Sequence, residues 1–141
     1  MRRDRQGLLE VKRLLDTSAY AAIKRSYGPV VDVLRSSEEI VFSIVVVGEL
    51  LFGFQAGSRY ARNVAELDEF LASPYVSLQL VTRTTADRFG RIAAQLKKQG
   101  TPIPTNDIWI AAHTMETGAE LVTLDRHFHH VAGLVIAEFG S

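Results

Sequence analysis

The chain has 141 residues, of which 47% are hydrophobic and 23% charged, a composition that indicates one folded domain and excludes a disordered chain. Its 16 basic residues balance its 16 acidic ones, so a formal net charge of zero excludes a protein that binds nucleic acid through bulk positive charge. The lack of cysteine excludes disulfides and thiolate zinc sites and fits a cytoplasmic protein, and no apolar run approaches the ~20 residues needed to cross a membrane.

Short apolar runs alternate with stretches of helical periodicity along the chain. Residues 1–11 are expected to form a basic leader ahead of one domain that spans 12–141. The pattern predicts strands at 12–16, 40–44, 77–81, 121–124 and 134–137. It predicts helices at 19–25, 29–36, 45–56, 60–72, 84–98 and 106–117. This α/β alternation indicates a mostly parallel sheet covered by helices on both faces, and such sheets bind ligands at the carboxyl ends of their strands.

Four carboxylates adjoin apolar runs, namely those of Asp16, Glu49, Asp107 and Asp125. Burying a charge costs several kcal/mol unless another group pairs with it. Since these acids are spread along the whole chain, one divalent cation that they all share is the simplest partner. Oxygen ligands suit Mg²⁺, or Mn²⁺ as the alternative, better than zinc or copper.

Each of the three aspartates also has a simpler structural interpretation. Asp16 can cap the helix that follows it, and Asp125 can start a turn. Asp107 suits the positive end of a helix dipole, and the preceding Thr105 or Asn106 can cap that helix. A metal site is therefore favoured by the four acids together and not by any aspartate alone.

Glu49 is harder to explain structurally, because it is the only ionisable side chain within residues 40–58. The helix around it is apolar on most sides, so Glu49 faces a polar cleft, binds a cation or lies on a narrow solvent-facing stripe. The same segment is unusually rich in large apolar side chains. Some of them are expected to form a dimer or partner interface, and the alternative is that all of them belong to the core: Leu50, Leu51, Phe52, Phe54 and Tyr60.

Other motifs fit the chain less well. A phosphatase of the two-aspartate type is excluded because its second aspartate would stand where Ser18 lies. A phosphoacceptor receiver domain would need neighbouring acids after the first strand and a lysine after a late strand. The histidines at positions 127, 129 and 130 lack the spacing of a zinc motif, so we interpret them mainly as surface residues, with His127 a minor candidate near the site.

Taken in order, the segments LLDTSAY, GELLFG, TNDIWIAAH and TLDRHF resemble the PIN-domain ribonucleases, and most closely the VapC-like toxins of prokaryotic toxin–antitoxin pairs. The resemblance runs from about residue 12 to residue 139. It implies a three-layer α/β/α sandwich with a parallel sheet of four or five strands. It also implies a metal site built from the four acids, with supporting polar groups at Thr17, Ser18, Asn106 and Thr123.

The resemblance further implies a function. Proteins of this kind are metal-dependent endoribonucleases that form homodimers and are silenced by a cognate antitoxin. Their RNA substrate is typically tRNA or a structured rRNA loop, and occasionally mRNA. The alternative is a catalytically silent PIN-like protein that binds RNA or serves as a scaffold.

Overall fold

Four short parallel strands form the centre of the fold in the computed structural model, which describes residues 11–139. In chain order they are β1 (Lys12–Leu15), β2 (Glu39–Ser43), β3 (Val76–Gln79) and β4 (Glu120–Val122). They pair in the order β3–β2–β1–β4, which places β1 and β2 in the middle of the sheet. Residues 1–10 lie outside the described residues, so the basic leader stays a prediction.

Between residues 11 and 139, six α-helices connect and cover these strands. They are α1 (Thr17–Lys24), α2 (Gly28–Arg35), α3 (Ile44–Gln55), α4 (Tyr60–Leu71), α5 (Arg83–Gln99) and α6 (Thr105–Thr117), and a 3-10 helix spans Arg126–His130. The predicted α/β fold with a mostly parallel sheet is confirmed. Within the part of the chain that the structure describes, no helix is long and apolar enough to cross a membrane.

The fifth predicted strand, at 134–137, is reduced to a single bridge between Leu121 and Ile136. Leu121 donates its N–H to the Val135 carbonyl at 2.9 Å and accepts from the Ala137 N–H at 2.8 Å. Gly133, with a φ of 79°, lies just before this contact in the left-handed conformation that glycine readily adopts. Within the described residues, the segment 134–137 therefore pairs with β4 through one bridge only. The sheet formed by these residues has four strands.

Two successive residues of β2 contact the two helical layers, because neighbouring side chains of a strand point to opposite faces of the sheet. Phe42 packs with Tyr20 of α1 and Phe70 of α4, and the ring centroids lie 5.4–5.7 Å apart. The next residue, Ser43, contacts His113 of α6 on the other side. This division gives the α/β/α layering and leaves the carboxyl ends of β1 and β4 open between helices.

Replacing Phe42 by alanine should lower the free energy of unfolding by about 3–5 kcal/mol, because a fully buried aromatic ring would leave a cavity. Tyr75→Ala is the matched control. Since Tyr75 is 71% exposed, its loss should change the free energy of unfolding by no more than about 0.5 kcal/mol. Urea denaturation followed by circular dichroism measures both values, and equal losses would contradict this packing.

Candidate active site

Four acids distant in sequence meet at the carboxyl edge of the sheet. Asp16 directly follows β1, and Asp125 lies just beyond β4. Asp107 lies in the first turn of α6, and Glu49 lies in the middle of α3. The four acids lie close enough for their charges to interact. The carboxylates of Asp125, Glu49 and Asp16 all contribute to raising the pKa of Asp107. The arrangement agrees with the expectation that these four acids share one site, and their catalytic role stays a prediction.

Asp16 is only 3% exposed and is held by three donors. Its Oδ1 accepts from the Ser18 hydroxyl at 2.7 Å and from the Ala19 N–H at 2.8 Å. Its Oδ2 accepts from the Thr123 hydroxyl. Burial raises the pKa of Asp16, and the hydrogen bonds from Thr123 and Ser18 oppose that rise. Asp16 is therefore a helix cap and a member of the acidic site at once.

The hydroxyls that hold Asp16 also shape the segment after β4. Ser18 Oγ accepts from the Leu124 N–H at 2.9 Å, and Thr123 Oγ1 accepts from the Asp125 N–H at 2.9 Å. Each hydroxyl thus donates to the buried carboxylate and accepts from the backbone that leads into Asp125. The ends of β1 and β4 are joined through side chains, and Asp125 is positioned relative to Asp16.

Glu49 is joined to two other elements by residues that were expected to support the site. Thr17, at the start of α1, donates to Glu49 Oε1 at 2.6 Å. Asn106, near the start of α6, donates to Glu49 Oε2 at 3.3 Å. Neither Asn106 nor Thr105 caps α6, because Pro104 occupies the N-cap without a side-chain hydrogen bond. The capping interpretation of Asn106 was wrong, and its amide is used to hold Glu49.

Asp107 has the most strongly perturbed carboxylate of the site. Its side chain is 13% exposed, and burial together with the nearby charges of Asp125 and Glu49 raises its pKa to about 6. The imidazole of His127 acts in the opposite direction. Repulsion among these carboxylates favours the binding of a cation at this place, because a positive charge reduces that repulsion.

His127 lies between two of the acids. Its Nδ1 is 3.0 Å from Asp125 Oδ1 and 3.5 Å from Asp107 Oδ2. The three residues can each offer one ligand atom within 4.8 Å of the others. The interpretation of His127 as a candidate near the site is confirmed by this position. A donor set rich in carboxylate oxygen, half enclosed by the protein, fits a hard divalent cation.

His113 is a buried histidine that the sequence analysis did not single out. It is fully buried, with Nε2 3.1 Å from the Leu80 carbonyl and Nδ1 2.8 Å from Ser43 Oγ. Because a carbonyl only accepts, Nε2 carries the hydrogen and Ser43 donates to Nδ1. Ser43 Oγ also accepts from the Val45 N–H and so caps α3.

This buried contact connects α6, which carries Asp107, to the first turn of α3, which carries Glu49. Burial lowers the pKa of His113, and the hydrogen bond to the Leu80 carbonyl opposes that effect. The available signal in the sequence was a histidine at the end of an otherwise apolar run, 108–112.

Comparison with known proteins shows that the chain is similar to the PIN domain family and to several named ribonucleases. The PIN domain family model matches residues 13–134. Ribonuclease VapC2 of Haemophilus influenzae is 32% identical over 127 residues, which cover 88% of this chain and 95% of the relative. Ribonuclease VapC1 of the same species is 30% identical over 90 residues, which cover 64% of this chain and 66% of that relative. The tRNA(fMet)-specific endonuclease VapC of Shigella flexneri is 30% identical over 97 residues, which cover 68% and 72%.

Solved structures share the fold. VapBC-1 from nontypeable Haemophilus influenzae superposes with a TM-score of 0.78 at 25% identity, covering 91% of this chain and 98% of the matched chain. VapBC-5 from Mycobacterium tuberculosis, a member of the VapBC family of toxin–antitoxin systems, superposes with a TM-score of 0.71 at 23% identity. That match covers 90% of this chain and 99% of the other.

Replacing Asp107 by asparagine should stabilise the metal-free protein above about pH 6. A carboxyl whose pKa rises from 3.8 to about 6 on folding costs stability once it ionises, and the neutral amide removes a cost on the order of 1–3 kcal/mol. The gain should shrink as pH falls from about 6 towards 4, because Asp107 is then protonated in the folded state as well.

Urea denaturation with EDTA present, repeated across this pH range, measures the gain. Asp68→Asn is the matched control, since Asp68 is exposed on α4 and its change should stay within about 0.5 kcal/mol. A stabilisation that is equal at about pH 4 and about pH 8 would show that the ionisation of the buried Asp107 is not its cause.

Proposed function

This chain belongs to the PIN domain family, and from that premise we propose that it is a metal-dependent endoribonuclease acting as the toxin of a toxin–antitoxin pair. The observation that carries the proposal is the meeting of four carboxylates at one sheet edge, where burial and the charges of Asp125, Glu49 and Asp16 raise the pKa of Asp107 to about 6. Nucleases that use hard cations need such an oxygen-rich site beside an accessible surface. The named ribonuclease relatives support the same conclusion.

The proposed roles follow from burial and contacts. Asp16 and Asp107 are the most enclosed of the acids and serve as the main ligands for the divalent ion, Mg²⁺ or Mn²⁺. Glu49 and Asp125 orient the attacking water or hold a second ion. When bound, the ion supplies positive charge opposite the phosphate and a lowered pKa for water. Thr17, Ser18, Asn106 and Thr123 keep the carboxylates in place through the hydrogen bonds described above.

The proposed reaction is hydrolysis of a phosphodiester bond. Water attacks phosphorus in line with the leaving ribose oxygen, which takes up a proton as the bond breaks. The products are a 5′-phosphate and a 3′-hydroxyl, and the 2′-hydroxyl of RNA takes no part. Glu49 suits the acceptance of the water proton, because Thr17 and Asn106 fix both of its carboxylate oxygens.

The proposed substrate is a tRNA or a structured rRNA loop in preference to mRNA. The relative from Shigella flexneri is named as tRNA(fMet)-specific, which supports a folded RNA target for this chain too. The charge of the chain outside the four acids is compatible with an RNA substrate. Outside the four acids, 16 basic residues face 12 acidic ones, a formal charge of +4. Such a target places the protein in the cytoplasm.

A cognate antitoxin and a homodimer are the proposed protein partners. The similarity to VapBC-1 and to VapBC-5, a member of the VapBC family of toxin–antitoxin systems, supports the first. Exposed apolar side chains support an association surface, since Phe52 is 81% exposed and Tyr60 40% exposed. Of the five large apolar side chains expected to supply such a surface, these two are exposed, whereas Leu50 is buried, and Leu51 and Phe54 pack partly against the core.

Cleavage of RNA should depend on the acids and on a divalent ion. We expect Asp16→Asn and Asp107→Asn to lower the cleavage rate with Mg²⁺ or Mn²⁺ at least about 100-fold, because each removes a direct ligand. Asp68→Asn is the matched control. Because Asp68 is exposed and lies outside the site, this variant should cleave RNA at the wild-type rate. Gel analysis of labelled tRNA measures the rates, with mapping of the 5′ ends.

Equal cleavage by wild type and both variants, or undiminished cleavage in EDTA, would contradict the proposal. A protein that binds the ion by calorimetry but cleaves no RNA would instead support the catalytically silent alternative.

The homodimer should be visible by light scattering as a molar mass of twice the chain, 15.6 kDa each. Phe52→Glu should shift the equilibrium toward monomer, because it puts a charge into an apolar interface. Val135→Glu is the control, since Val135 is 56% exposed on the last segment of the described chain. A wild-type protein that is monomeric at high concentration would rule out the dimer.

A further inference from the structure

We propose that His127 is a nitrogen ligand of the metal site and that it makes the site prefer Mn²⁺ to Mg²⁺. The inference rests on the proposed nuclease function, because it adds one ligand to the carboxylates of that site. It also decides between two ions that the oxygen ligands alone accept equally well.

The spacing of the three side chains suits one ion. Ligand atoms about 2.1 Å from an ion at adjacent octahedral positions lie about 3 Å from each other. His127 Nδ1 lies 3.0 Å from Asp125 Oδ1 and 3.5 Å from Asp107 Oδ2. The distances from the nitrogen to both acids are therefore those expected between two ligands of one ion, and no rearrangement of the backbone is needed.

The backbone holds the imidazole in this direction. Asp125 caps the 3-10 helix Arg126–His130 by accepting from the His127 N–H at 2.9 Å. Phe128, the next residue, is fully buried and anchors that helix in the core. The imidazole of His127 is about half exposed, so solvent and ions reach the side of it that faces the acids. A rigidly placed, accessible donor is what a metal ligand requires.

The position of Nδ1 indicates where an ion would be held. Asp107, Asp125 and His127 can each offer one ligand atom, and these atoms lie within 4.8 Å of one another. An ion among them would have one nitrogen and at least two carboxylate oxygens as ligands.

The preference for Mn²⁺ over Mg²⁺ follows from the chemistry of the imidazole nitrogen of His127. Mg²⁺ keeps an almost purely oxygen environment, whereas transition ions such as Mn²⁺ accept imidazole readily. Without His127 the site would be a carboxylate set with no reason to favour Mn²⁺ strongly. If His127 served only as a positive charge among the acids, its loss would change the affinities for both ions by the same factor.

Calorimetric titration with MnCl₂ and with MgCl₂ separates these roles. It compares wild type with His127→Gln, which keeps a polar side chain but offers oxygen instead of an imidazole nitrogen. We expect His127→Gln to lower the ratio of Mn²⁺ to Mg²⁺ affinity by about tenfold. His130→Gln is the matched control, because His130 is exposed on the same 3-10 helix and its hydrogen bond to Gln95 uses the backbone carbonyl.

A spectroscopic measurement on the Mn²⁺ complex tests the bond itself. Electron spin echo envelope modulation should show a directly bound nitrogen in wild type and in His130→Gln, and none in His127→Gln. An unchanged affinity ratio, or a wild-type spectrum without nitrogen, would overturn the role of His127 while leaving a carboxylate metal site intact. Failure of wild type to bind either ion, with Asp107→Asn no different, would overturn the proposed function itself.

Discussion

Repulsion among carboxylates held at one sheet edge is the constraint on which the rest of this structure depends. Isolated acids would turn to solvent, but Asp16 is buried and Asp107 nearly so, and the pKa of each is raised. Such an arrangement persists only if surrounding groups oppose it. The hydroxyls and the amide around the site supply that opposition. They are a structural requirement of the acidic cluster as much as a chemical one.

Most of these supporting groups serve two purposes at once. Ser18 and Thr123 donate to Asp16 and accept from the backbone leading into Asp125, so the acids and the segments that carry them are positioned together. Farther from the acids, His113 and Ser43 do the same for α6 and α3 inside the core. Among the described residues, no buried side-chain polar atom is left without a hydrogen-bond partner. The site is therefore preorganised by a network that reaches across the sheet.

The same arrangement sets stability against function. A buried carboxyl with a pKa of about 6 is costly at neutral pH, and a cation that neutralises it returns stability to the folded state. In the proposed function, metal binding and folding would be coupled through Asp107. The acids proposed to hold the ion are thus the same groups that make the metal-free state less stable.

Local patterns in the sequence determined much of this. The alternation of apolar runs and helical stretches predicted the parallel sheet, because side-chain period is a local property. The cost of burying charge singled out Asp16, Glu49, Asp107 and Asp125 before any contact was known. The supporting residues at positions 17, 18, 106 and 123 came from resemblance to a known family, and each of them bonds to one of these acids.

Only the tertiary structure decided which groups meet. The amide of Asn106 could have capped its own helix, and it reaches Glu49, 57 residues away, because α6 and α3 pack side by side. His127 was interpreted mainly as a surface residue and as a minor candidate near the site. It is half exposed and faces two acids, because the capped 3-10 helix directs its imidazole toward them. The hydrogen bonds of His113 to Ser43 and Leu80 depend on packing between distant segments. So does the reduction of the last predicted strand to a single bridge. Such contacts join residues far apart in the chain, and no local pattern specifies their distance.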